Sequence, residues 1–137
     1  MMGDLNAKVG SDNTLLGHVM GKHGLGDRND NGGRFVDFCN FHRLVIGGTL
    51  FEHRACHKVS WVSTDRHRTS NQIDHFAISS RFRSCLLDVR NKRGADIGLE
   101  KDHHLMVAYV CLRVAFTNSS RVGEKWLPSS ASTACMT

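Results

Sequence analysis

A chain of 137 residues with 40% hydrophobic content has the length of one ordinary globular domain with a single core. Lys and Arg outnumber Asp and Glu by 18 to 13, for a formal charge of +5 and a pI near 9.2, which makes polyanions, nucleic acid among them, natural partners. The longest apolar run, Leu105 to Leu112, falls far short of the ~20 residues that cross a bilayer, and the opening MMGDLNAKVG has no apolar signal-peptide core. The expectation is an intracellular chain, nuclear or cytoplasmic, with no membrane partner. Five scattered cysteines without a CxxC pair fit reduced, mostly buried thiols.

In chain order, GDLNAKVG comes first and sets Asp4 and Asn6 two positions apart. Extended backbone turns both to one side, although Gly, Asp and Asn are also the commonest turn residues. Residues 10–33 hold many of the 13 glycines and read as a long irregular loop. Within it, GHVMGKH lacks the spacing and the Ser/Thr of a phosphate-binding P-loop, and no recognisable strand precedes it. Asn29 to Asn31 offer caps for a helix through GRFVDFCNFHRL, to about Leu44, with Phe35, Phe38, Cys39 and His42 along one side.

Strands are expected in LVIGGTLF, KVSWVST, QIDHFAIS, CLLDVRNKRG and HLMVAYVCLRV. Both alternating sets of the last are apolar, which predicts cover on both of its faces. After about residue 115 the chain turns Ser- and Thr-rich without periodicity, the pattern of a poorly ordered tail over 115–137. The expectation is an α/β (α+β) domain over residues 1–114, mainly one mixed or antiparallel sheet with a covering helix.

The chemistry concentrates at strand ends. Asp74 stands where a strand begins and shares a side with Phe76 and Ile78. A carboxylate entering an apolar layer needs a partner. KDHH supplies one: His103, at the start of the last strand, can donate a proton to that carboxylate and be held as imidazolium. The pair is therefore expected within hydrogen-bond reach. Trp61, followed by TDRHRTSN, sets an apolar ring near Arg66 and Arg68, a combination that can stack or wedge in a DNA groove while neutralising phosphates, against a plain core role for the indole. Arg81, Arg83, Arg90, Lys92 and Arg93 extend the positive surface. A competing scheme gathers Cys39, His42, His53, Cys56 and His57 around zinc, against the helical spacing that puts Cys39 and His42 on one apolar face.

Taken in order, GDLN, KVSWVS, NQIDHF and DHH resemble the second half of the endonuclease/exonuclease/phosphatase superfamily, with its GD(F)N turn, Trp strand, (I/L)D(Y/H) strand and final (S)DH motif. More closely, NDNGGRFVDFCNFHRLVIGGTLFEH, HKVSWVS, NQIDHFAISSRFRSCLLDVRNKRGADIG and DHHLMVAYVCL are similar to the endonuclease region of RTE-type LINE retrotransposons and of the related craniofacial development protein 2-like sequences. The resemblance runs from Gly3 to about Val114. It implies part of a two-sheet sandwich and a Mg²⁺- or Mn²⁺-dependent phosphodiesterase that cuts DNA with an activated water.

By that resemblance Asp4 orients or deprotonates the water, and Asn6 contacts the reacting phosphate. Asp102 assists with the cation, His103 hydrogen-bonds a non-bridging phosphate oxygen, and Asp74 orients His103. The chain departs from the pattern in carrying Lys101 where the superfamily has Ser, and Leu5 in GDLN. The superfamily's main metal-binding glutamate belongs to its first half, ahead of the matching segments. The expectation is thus a crippled enzyme, or a chain that only binds nucleic acid, whose uncovered inner sheet face is available for self-association.

Overall fold

The computed structural model describes residues 1–94 and 102–114. Its elements are β1 (Met2–Asp4), α1 (Asp30–Phe41), β2 (Leu44–Ile46), β3 (Trp61–Val62), β4 (Ser70–Asn71), β5 (Asp74–Ser79), β6 (Leu86–Lys92) and β7 (Leu105–Val110). This is an α+β arrangement in which every strand pair is antiparallel. The strands do not form one sheet: β5 lies between β1 and β2, while β3–β4 and β6–β7 are separate two-stranded ladders. The segment leading into β7 is stitched to β3, with Val62 N–H donating to the Asp102 carbonyl and His104 N–H to the Ser60 carbonyl, both at 2.7 Å. The proposed tail, 115–137, and Lys101 lie outside the described residues.

Helix α1 begins where the caps suggest. The Asn29 side-chain oxygen accepts from Gly32 N–H at 2.7 Å and from Lys8 N–H at 2.9 Å, while its amide nitrogen donates to the Asn6 carbonyl at 3.3 Å. One side chain thus satisfies a helix-end donor and ties the helix to the chain leaving β1. The helix ends at Phe41, short of the expected Leu44, because Arg43 takes a left-handed φ of +53° and turns the chain into β2.

Phe35, Val36 and Cys39 pack with Ala7, Val9, Val19, Met20, Ile46 and Ala77 in the core. Burial pushes the Cys39 thiol up to about 11, so it is a neutral apolar group. Phe38 and His42 fall outside this core and stack on each other, ring centroids 4.4 Å apart. The glycine-rich segment is irregular, yet it contributes Val19 and Met20 to the core and is braced by Arg28, whose Nε donates to the Val9 carbonyl at 2.9 Å.

Strand β7 corrects the expectation of cover on both faces. It pairs with β6, and Leu105, Tyr109 and Val110 are exposed, as is Leu87 on β6. An apolar run reports that a strand wants cover, and cannot report whether these residues supply it. No helix among the described residues is long and apolar enough to cross a membrane.

His75 is the largest polar side chain in the interior, 2% exposed, with Nε2–H donating to the Ala7 carbonyl at 2.6 Å and the ring beside Phe35. Burial pushes its pKa below the ordinary value of 6.5, against the smaller opposing pull of the Ala7 hydrogen bond and nearby carboxylates. The folded protein therefore takes up this proton less readily than the unfolded chain. The His75 contribution to stability is complete above about pH 6.5 and declines as pH falls through that value, by at most ~1.4 kcal/mol per pH unit. Urea melts at several pH values should show this slope flattened in His75→Gln, and an unchanged slope would mean that His75 is not the group responsible.

Candidate phosphate-binding and metal site

The antiparallel register of β1 and β5 sets Asp4 directly opposite Asp74. Paired residues project to one face, and two like charges there repel. His103 relieves this: its Nδ1–H donates to Asp74 Oδ2 at 3.1 Å, and its Nε2 lies 4.0 Å from Asp4 Oδ2. The hydrogen bond expected between Asp74 and His103 is present, across 29 positions of sequence. Asp74 is the buried member, its side chain 15% exposed against 41% for Asp4 and 37% for His103, so the group opens to solvent on the Asp4 side.

Each member is held by backbone. Asp4 Oδ1 accepts the N–H of Asn6 at 2.9 Å, and Asn6 adopts φ +48°, a turn that asparagine tolerates better than most residues. Asn6 is exposed, and with Lys8, Asn29, Trp61, Asn71 and Ile73 it lines a cavity of about 190 Å³. Trp61 pairs with His103 across an antiparallel bridge, which puts the indole on the imidazole's face.

The entry of β5 depends on a residue that carried no signal in the sequence. Ser60 is fully buried, and its hydroxyl oxygen accepts from the N–H groups of Ile73 at 2.9 Å and Asp74 at 3.0 Å. Ser60→Ala leaves both donors without a partner. We expect it to cost about 2–3 kcal/mol of stability, read as a lowered urea midpoint, whereas Ser60→Thr should retain most of it.

Three other expected positions do not join the group. Asp102 is not part of it: its carboxylate Oδ1 is buried without a hydrogen-bond partner, and its carbonyl serves β3. Arg66 and Arg68 are exposed on the loop between β3 and β4; Arg68 lines a different cavity, on the far side of β3.

The structure does not gather the residues of the zinc scheme into one group. Among the described residues, the one group of three or more potential ligands close enough for a single ion is Asp4, Asp74 and His103, with ligand atoms within 4.8 Å of one another. Cys39 is in the core, His42 stacks on Phe38, and His53 Nε2 instead bonds Asp88 Oδ1 at 2.6 Å. Burial pushes the Asp88 carboxyl up, but the hydrogen bonds and charges of His53 and Arg90 outweigh it and hold the group below its ordinary value. That pair went unread in the sequence. The signal was available: an acid inside the apolar stretch CLLDV needs a partner for the same reason as Asp74.

No family model and no solved structure matches the chain. Over 114 residues, 83% of its length, it is 39% identical to craniofacial development protein 2 of Tragulus javanicus and 38% identical to craniofacial development protein 2 of Bos taurus. It spans 19% and 18% of the length of these curated relatives. Over most of its length, then, the chain is homologous to one segment of the proteins named craniofacial development protein 2.

Proposed function

We propose that the Asp4–Asp74–His103 edge grips a phosphodiester of DNA and hydrolyses it with the help of Mg²⁺ or Mn²⁺, the reaction that resemblance to the endonuclease/exonuclease/phosphatase superfamily and to RTE-type LINE endonucleases implies. The observation that carries this reading is the imidazole lodged between two carboxylates at the strand ends. The carboxylates of Asp4 and Asp74, in a group whose ligand atoms lie within 4.8 Å of one another, fit an oxygen-preferring divalent cation such as Mg²⁺ or Mn²⁺. Asp4, the more exposed carboxylate, is the natural ligand in place of Asp102. When bound, the cation supplies positive charge to the phosphate oxygens, where negative charge concentrates during in-line displacement.

The chain's own residues do the rest. With Nδ1–H committed to Asp74, a protonated His103 donates through Nε2 to a non-bridging phosphate oxygen. Asp4, fixed by the Asn6 N–H, orients the attacking water, which gives its proton to solvent. The water oxygen bonds to phosphorus, the bond to the leaving alkoxide breaks, and solvent protonates that alkoxide. The Asn6 amide and the Trp61 ring, sharing one cavity, offer a hydrogen bond and a stacking surface to the strand on either side of the scissile phosphate. Arg66 and Arg68 contribute sequence-independent charge at the periphery.

The test is nicking of supercoiled plasmid with and without Mg²⁺ or Mn²⁺. The protein should nick only with cation, and His103→Ala should be slower by about 10²-fold or more; equal rates would reject the assignment. A second reading, a chain that binds DNA without cutting it, is favoured by the Asp102 carboxylate lying outside the group. Salt-sensitive DNA binding without cation-dependent nicking would select it.

The same reading includes a nuclear or cytoplasmic location and self-association through the uncovered side chains of β6 and β7. Sedimentation should then give a mass above that of a single chain. Leu87→Lys together with Val110→Lys should return it to the monomer value, and a monomer in the unaltered protein would exclude it.

A further inference from the structure

A cavity of about 420 Å³ lies on the opposite side of β3 from His103. Its position follows from strand alternation. Trp61 and His103 share one face through their antiparallel bridge, so their neighbours Val62 and His104 project to the other. There they meet Val59, Ser70, Arg68 and Arg93. The adjacent histidines of KDHH thus serve two different surfaces.

The lining has a consistent chemistry. Among the described residues it contains two guanidinium groups and no carboxylate. Among the described residues, neither arginine side chain forms an ion pair; the pairs present belong to Arg34, Arg90, His53 and His103. His104 lines the cavity as well, an imidazole beside the two guanidinium groups. Valine side chains form an apolar wall beside these groups. The volume is that of a site for a small organic molecule, and guanidinium pairs match the oxygens of a phosphate.

We propose that this cavity is a second, separate anion site that takes a phosphoryl group carried on a small organic body, as in a mononucleotide or the 5′-terminal nucleotide of a strand. Arg68 and Arg93 hold the phosphoryl oxygens, Ser70 and His104 add hydrogen bonds, and the sugar or base packs on Val59 and Val62. The assignment does not depend on nicking at the Asp4–Asp74–His103 edge.

Cys56, half-buried in the same lining, provides a local reporter. The full chain is alkylated with iodoacetamide and labelling at each cysteine is followed by peptide mass spectrometry, with adenosine 5′-monophosphate, adenosine, a 5′-phosphorylated tetranucleotide or its dephosphorylated form. Adenosine 5′-monophosphate should slow labelling of Cys56 by roughly fivefold or more at saturation, leave the exposed Cys111 unchanged, and lose about tenfold in affinity with Arg68→Gln or with Arg93→Gln. Stronger protection by the phosphorylated tetranucleotide would identify a strand end as the ligand, and equal or weaker protection a free nucleotide; either supports the site.

Protection by adenosine alone to the same degree, protection that survives both arginine substitutions, or none with any probe would overturn it. His103→Ala should leave protection intact, which separates failure of this site from failure of the proposed nuclease edge. Thermal melts of the two single variants, each altering an exposed side chain, establish that they remain folded.

Discussion

Asp74→Asn is expected to lower cation-dependent plasmid nicking by roughly 10²- to 10⁴-fold, a loss of the order seen when the residue orienting a catalytic imidazole is neutralised. The carboxylate can only accept, so it requires the proton of His103 to sit on Nδ1 and leaves Nε2 facing the Asp4 side. Asparagine can present its NH₂ group to Nδ1 instead, in which case the ring proton of the neutral form moves to Nε2 and the cationic form loses its counter-charge. The side chain is nearly isosteric and its backbone N–H remains bonded to Ser60, so stability should change little beside the rate. Imidazole ¹⁵N shifts of His103 would report the tautomer directly. A rate within threefold of the unaltered protein, with the ring proton still on Nδ1, would mean that Asp74 does not position His103.

Gly32→Ala and Gly33→Ala should have opposite effects although they are neighbours in one helix. Intrinsic propensity favours alanine over glycine within a helix by ~1 kcal/mol, and on that ground both changes stabilise. A Cβ on Gly33 meets nothing within 4 Å, so Gly33→Ala should gain close to that amount. A Cβ on Gly32 would lie 1.8 Å from the Lys8 carbonyl oxygen and 2.5 Å from its carbon. That carbonyl accepts the Asn29 N–H, and Lys8 N–H donates to the Asn29 side chain that caps the helix. Relieving the overlap means separating the helix start from the strand extension and breaking these bonds, a cost of about 3 kcal/mol or more that overrides the propensity. Urea midpoints of the two variants decide the matter: a stabilised Gly32→Ala would show that residues 6–8 and α1 are not in close contact.

The pairing of Asp74 with His103 was legible because each position posed its own problem: an acid entering an apolar layer, and an imidazole at the mouth of a strand. The capped start of α1 was legible for a similarly local reason, since Asn29 fills its own helix-end donor. Asp102 was misread where locality ends. Its adjacency to His103 in sequence suggested a shared ion, while among the described residues the ligand group consists of Asp4, Asp74 and His103. Ser60 was invisible, because a serine in a strand has the same letter whether its hydroxyl faces water or receives two backbone N–H groups from another strand.

The sequence by itself determined the α+β class, the basic surface, the helix start and the need of Asp74 for a cationic partner, all of which follow from spacing and from the energetics of single residues. Only the tertiary structure decided that Asp4 stands opposite Asp74, that Asp102 lies outside their group with His103, that His104 lines a cavity of its own, and that β7 leaves apolar side chains in solvent. Those outcomes depend on strand register, and a shift of one residue exchanges the two faces of a strand without changing its composition or its periodicity.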